Sequence, residues 1–502
     1  MSIELPAALF SALSLLTGPL VTPASRPEGP EEPDPLPVQV SGITRAELFH
    51  HLRFLASDEL RGREAGTPDA VRAARYLART LERAGLEGGA ADGRFLQEVP
   101  LVRIEHEREP ELVLETWDGT RISGRFGVDF DVTVRAEPRV AEVLPLTVVR
   151  ELAELPDEPR GERALWIDGS RSETRAWLAE RGMGNGEGWG LCVARGFSRP
   201  RKGRKLPPPQ LVRELPDADP ADFLQLHGDL RTLLEAGEIR SIELRYGTRI
   251  ERPLDFNVVG VLRGADPELS QEVVVVSAHY DHVGALEAGI PGHGHGPHQG
   301  SSASKGRAAD EDRIYNGADD DASGTAAVLE IAEALAHGEA PDRTLVFFLA
   351  AGEEKGLLGT YHYIDHPSFP LARTVANLNL EMIGRPDELA GGKGGLWLTG
   401  FERTNLGKAL QERGVRVVPD QRPDQNFFMR SDNIAFVKEG VVGQTLSSYN
   451  LHGDYHTVYD EIERIDFDHL LASTRVAAEA VRVLASGDFS PEWLPGGLPD
   501  FR

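Results

Sequence analysis

One cysteine among 502 residues, Cys192, leaves no partner for an intramolecular disulfide and no basis for a cysteine-rich zinc site. Any metal bound by this chain must be held by His, Asp and Glu. Positive charge is also scarce: 54 Lys and Arg stand against 80 Asp and Glu, for a formal net charge of -26. Binding to a phosphate backbone or an anionic membrane surface needs clustered Lys and Arg, so neither is an expected partner. The one basic run, from Arg199 to Lys205, reads as a solvated loop. Long apolar stretches are missing as well, apart from Leu5 to Val21, so no other segment is expected to span a membrane. That first run has the length of a signal-peptide core, and Pro23-Ala24-Ser25 offers small residues for cleavage, although Met1 to Glu4 carries an acid and no base. Residues 1–25 are therefore read as a possible signal peptide of a secreted or periplasmic protein. A buried helix in a cytoplasmic protein is the other reading.

What is present divides along the chain. Residues 26–38 are rich in Pro and Glu and read as a linker. In the N-terminal part of the main domain, 39–115, Thr44 and Glu47 form a capping box ahead of Leu48, Leu52 and Leu55. Thr67-Pro68 opens a second helix that Gly85 ends. Residues 116–250 change to short apolar runs broken by Gly, Pro and charge, with a helix from about Ser172 to Glu180 between two of them. This reads as an inserted domain, a smaller α/β or mostly-β unit serving as lid or spacer. From 251 to 490 strands and helices alternate, followed by a tail, 491–502. The expected fold is α/β: a mixed, mainly parallel central sheet sandwiched by helices. Val273 to Val276 and Leu345 to Leu349 are its clearest strands, with Val375 to Met382 and Val441 to Leu446 as further candidates.

In such sheets ligands bind beyond the carboxyl ends of strands. Behind the first run stand His279-Tyr280-Asp281-His282, where Asp281 is placed to orient the imidazole of His279. Behind the second stand Glu353-Glu354, a costly pair without a cation. Glu381 closes the third strand and His456 lies in a turn after the fourth. Asp319-Asp320-Asp321 precede a helix, where they read either as an acidic N-cap or as part of a metal site. Each has a structural reading alone. Together they supply the nitrogen and oxygen ligands of a two-zinc site with a carboxylate left over.

Five segments, in order, resemble the co-catalytic zinc aminopeptidases of metallopeptidase family twenty-eight: Ala278 to Gly284, Asn316 to Gly324, Gly352 to Gly359, Asn379 to Arg385 and Asp454 to Thr457. The likeness is good from Leu254 to about Leu484 and weaker from His51 to Leu86, and the insert is similar in outline to a protease-associated domain. The resemblance implies two zinc ions per chain, with Asp319 bridging them, His279 and Glu381 completing one site, and Glu354 and His456 the other. It implies Glu353 as general base and Asp281 as the residue orienting His279. It further implies hydrolysis of the first peptide bond of substrates with a free N-terminus, by hydroxide shared between the zincs. Ser431-Asp432-Asn433 departs from the family, which commonly has His at the third position. Three alternatives stay open: a dinuclear carboxypeptidase or deacylase with Arg385 or Arg430 as carboxylate clamp, a single-zinc glutaminyl cyclase, and a non-catalytic receptor on the same scaffold. His293, His295 and His298, set among glycines, read as a flexible loop at the mouth of the site.

Overall fold

The computed structural model describes residues 42–133, 139–150, 163–180, 189–196, 210–214, 223–285 and 312–501. The possible signal peptide, the linker, the basic run from Arg199 to Lys205, and His293, His295 and His298 lie outside the described residues. Helix Arg45–Leu55 starts where the capping box places it, with the Thr44 hydroxyl accepting from the Glu47 N–H at 3.3 Å. Helix Pro68–Arg83 starts in the same way, the Thr67 hydroxyl accepting from the Ala70 N–H at 3.3 Å.

The main sheet has nine strands among the described residues. Its middle is four parallel strands in the spatial order Thr344–Ala350, Val273–His279, Thr374–Leu380, Val442–Ser447. Leu254–Leu262 pairs antiparallel on one side and Leu396–Leu398 on the other, so the sheet is mixed, with its parallel part at the centre. Strand Val273–His279 shows why it is apolar throughout. Val274, Val276 and Ala278 join a core with helices Arg45–Leu55, Pro68–Arg83, Gly324–Ala336 and Phe467–Ala485, while Val273 and Val275 pack with Tyr363, Ala435 and Phe436 of helices Leu358–Asp365 and Asn433–Lys438. A strand with helices on both faces has no polar side.

A second, eight-stranded sheet is built from strands between Glu111 and Tyr246. It has its own core, including Leu114, Phe130, Trp166, Val193 and Leu224. Helix Arg171–Glu180 joins the parallel strands Ala164–Ser170 and Leu191–Arg195, in the β-α-β pattern expected there. Just outside this sheet, Val102–His106 and Thr248–Glu251 run antiparallel side by side, so the chain enters and leaves the segment through neighbouring strands. No helix of the described residues is long and apolar enough to cross a membrane.

One polar cluster lies inside the helical layer. His51 Nε2 is 3.1 Å from Glu330 Oε1, and its Nδ1 is 2.7 Å from the Tyr76 hydroxyl. Burial, followed by the charge on Glu333, raises Glu330 to about 8, and burial lowers His51 to about 4, so both are neutral near pH 7. A carboxyl whose folded pKa is raised stabilises the fold fully below its unfolded value of 4.5, and that contribution is lost as pH rises to about 8. Glu330→Gln keeps a donor toward His51 and removes this titration. In thermal melts the variant should gain on the wild type as pH climbs through that window, with the difference closing in acid.

Candidate active site

The four central strands end on the same edge, and each delivers part of the site. His279 is the last residue of its strand, and its Nδ1 lies 3.2 Å from the backbone carbonyl of Asp281. A carbonyl only accepts, so Nδ1 carries the proton and Nε2 presents a lone pair. That Nε2 is 3.3 Å from Asp320 Oδ1. The Asp281 carboxylate, 3.8 Å from His279 Nδ1, accepts hydrogen bonds from the Glu353 N–H at 3.0 Å and the Glu354 N–H at 3.4 Å. Asp281 therefore fixes the imidazole through its carbonyl and the Glu353-Glu354 turn through its side chain. The sequence expectation assigned the orienting to the side chain alone.

The three consecutive aspartates divide their tasks. Asp320 (φ -105°, ψ 99°) and Asp321 (φ -122°, ψ 42°) both leave helical geometry, so the three carboxylates point in different directions. Asp321 accepts from the N–H groups of Met382 at 2.9 Å, Gly324 at 3.1 Å and His279 at 3.3 Å, tying three segments together. Asp319 Oδ1 accepts from Gly384 N–H at 2.8 Å, while Oδ2 faces His452 Nε2 at 3.1 Å and Arg385. Asp320 Oδ1 faces His279, and its Oδ2 is 3.1 Å from His456 Nε2 and 3.8 Å from His282 Nδ1. The central carboxylate is thus that of Asp320, where the sequence pointed to Asp319. Three adjacent acids are indistinguishable in sequence; the local backbone decides which one faces the histidines.

Two donor groups result: His282, Asp320, Glu354 and His456, and His279, Asp320 and Glu381. His279, Glu354, Glu381 and His456, named as ligands from the sequence, are brought together in these groups, and His282 lies with them. Among the described residues, His279 Nε2, His282 Nδ1 and Nε2, Asp320 Oδ2 and Glu354 Oε1 are buried without a hydrogen-bond partner. Buried polar atoms rarely go unpaired, and nitrogen and oxygen donors converging in this way fit zinc. Electrostatics separate the acids. Burial opposes charge on Asp320, but His279 and His456 hold it well below the usual carboxylate range. Burial and the charge on Asp320 push Glu354 up, yet His456 and His282 bring it down to about 2. Glu353, 3.9 Å from His279 Nε2, is driven well above the carboxylate range by burial, with Glu354 and Glu381 adding to the rise against His279. The surroundings thus push the two adjacent glutamates in opposite directions, Glu353 up and Glu354 down.

The site loops are pinned from the N-terminal segment. Arg63 is wholly buried, and its guanidinium donates to the carbonyls of Tyr280 at 2.6 Å, Asn316 at 2.7 Å, Gly317 at 3.1 Å and Leu55. Tyr280 and Asn316-Gly317 flank the His279 and Asp320 donors. Gly62, with φ +72°, lets this loop approach so closely that a Cβ there would meet the carbonyls of Gly284 and Tyr315 at 2.5 Å. Asp460 adds a second pin, accepting from the N–H groups of Asp319 and Asp320 while Arg385 Nη2 donates to it at 2.9 Å. Beside the donors, a pocket is lined by Met382, Trp397, Phe427, Tyr449 and Tyr455, with Arg430 over the Phe427 ring. Asn433, at the family's usual His position, is buried and donates to the Phe428 carbonyl at 3.0 Å. Arg63→Met should leave the buried carbonyls unpaired and cost about 3 kcal/mol or more in denaturant unfolding.

The strand ends of this sheet thus gather histidines and carboxylates into two adjoining donor groups. Residues 257–481 match the profile of Peptidase family M28. Over 75 residues the chain is 43% identical to Aminopeptidase YwaD of Bacillus subtilis, covering 15% of this chain and 16% of the relative. Over 167 residues it is 30% identical to a vacuolar membrane protease of Clavispora lusitaniae, covering 32% of this chain and 15% of the relative. The chain thus spans less than a fifth of the length of these curated relatives. The fold is similar to that of an aminopeptidase from Aneurinibacillus sp. strain AM-1, with a TM-score of 0.57 at 17% identity over 89% of this chain and 95% of that one.

Proposed function

We propose that this chain is a zinc-dependent aminopeptidase that hydrolyses the first peptide bond of substrates with a free N-terminus. The observation that carries this reading is the Asp320 carboxylate, which turns one oxygen to His279 and the other to His456 and so joins the two donor groups. In place of the expected Asp319, Asp320 would be the shared ligand, with His279 and Glu381 on one side and Glu354 and His456 on the other. Two zinc ions held there would lower the pKa of a water to roughly 7 and polarise a carbonyl. Glu353 is the general base: buried beside His279 and lining the pocket, it takes the proton of the attacking water and returns it to the leaving amine. Asp281 keeps Glu353 in place through the Glu353 N–H. Asp320, Glu353 and Glu381 line the same pocket as Trp397 and Phe427, so a terminal ammonium meets carboxylates while its side chain meets aromatic walls. Residues 116–250 are proposed as a covering insert on a peptidase domain of 39–115 and 251–490.

Cleavage from the carboxyl end would need a cation for the terminal carboxylate. Arg385 is already engaged by Asp454 at 2.7 Å and Asp460 at 2.9 Å, which leaves Arg430 on the pocket wall as the candidate named from the sequence. A panel of aminoacyl-anilides, free and N-acetylated, separates the readings. The expected result is hydrolysis of the free-amine substrates alone, fastest for large apolar residues, lost on chelation and regained with zinc. Turnover of acetylated substrates, or none at all with zinc bound, would overturn the proposal. Glu353→Ala should lower kcat by at least about 100-fold with zinc content unchanged. Asp320→Asn should lose zinc as measured by elemental analysis, while Asp319→Asn should retain most of it.

A further inference from the structure

The two donor groups are not alike, and the difference is His282. Its ring is wholly buried, and among the described residues neither nitrogen makes a well-directed hydrogen bond. A histidine that merely supported a ligand would spend one nitrogen on a hydrogen bond, as His279 does with the Asp281 carbonyl. His282 Nδ1 instead lies 2.8 Å from Glu354 Oε1, both atoms among the unpartnered ones, and 3.8 Å from Asp320 Oδ2. His456 Nε2 is 3.1 Å from each of those two oxygens. Zinc bonded at about 2.0–2.1 Å to four donors in a tetrahedron separates them by roughly 3.3–3.4 Å, and these distances bracket that edge.

The fold also makes room for the ring. Gly317 lies against it: a Cβ at that position would meet His282 Cγ at 2.5 Å and Cδ2 at 2.6 Å. The His282 N–H donates to the Arg63 carbonyl at 3.4 Å, and its ring meets that of His456 edge to face at 5.5 Å between centroids.

We propose that His282 is a direct zinc ligand through Nδ1, giving one metal position four protein donors and leaving the other with three. The inference rests on the two-metal reading above and adds a third imidazole to it. A position with four protein donors is closed, whereas one with three keeps a place for water or substrate. The three-donor position, made by His279, Asp320 and Glu381, is also the one that Glu353 approaches, at 3.9 Å from His279 Nε2. The proposal therefore assigns holding to the closed position and chemistry to the open one.

Zinc-edge X-ray absorption on the full chain loaded with zinc tests this by counting imidazoles. Three imidazoles over two zinc ions in the wild type, with one lost in His282→Gln, is the expected result. A competing chelator should then find the more tightly held zinc weakened at least about 10-fold in His282→Gln and the other little changed. Two imidazoles over two zinc ions in the wild type would overturn the assignment of His282 and leave the two-metal site standing, whatever the folding of the variant. A folded wild type that takes up no zinc would overturn both.

Discussion

A buried guanidinium holding backbone carbonyls fixes the separation of the loops that carry the metal donors. Among the described residues Arg63 takes no carboxylate partner; it spends its N–H groups on Leu55, Tyr280, Asn316 and Gly317. Burial lowers it to about 10, but Asp281, Asp320, Asp460 and Asp321 act in the opposite direction, so it remains a cation among acids. That single charge serves twice: it ties the loops, and it tempers the repulsion among carboxylates that the fold has brought together without solvent.

Around this pin the site is graded. Asp321 and Asp460 spend their oxygens on backbone N–H groups, so they shape the loops. Asp319 is taken up by Gly384 and His452. Asp320 and Glu354 retain unpartnered oxygens facing histidines, and those are the atoms left for a cation. Glu353 stands apart because burial and the neighbouring acids push it up while Glu354 is held down. The chemistry thus follows from which acids have already been used by the backbone.

Much of this was legible in the sequence. The apolar runs at 273 and 345 marked buried strands because helices cover both faces, and the residues just beyond them did prove to converge. The caps at Thr44 and Thr67 were readable because they depend on residues three apart. The choice among Asp319, Asp320 and Asp321 was not readable, since it turns on a local break in helical φ and ψ. His282 was visible in the His-x-Asp-His run, but its direction depends on Gly317 and Arg63, which are distant in sequence. Arg63 carries no signal of this kind, because its partners are carbonyls that no side-chain pattern reveals.

The strands Val102–His106 and Thr248–Glu251 pair at the root of everything between them, and Gln210–Val212, from within that segment, adds a third strand there. Because the chain departs and returns at adjacent points, the intervening sheet closes a loop whose ends are already held together, and lengthening it costs little entropy. Added length in that segment is therefore compatible with an unchanged register in the nine-stranded sheet.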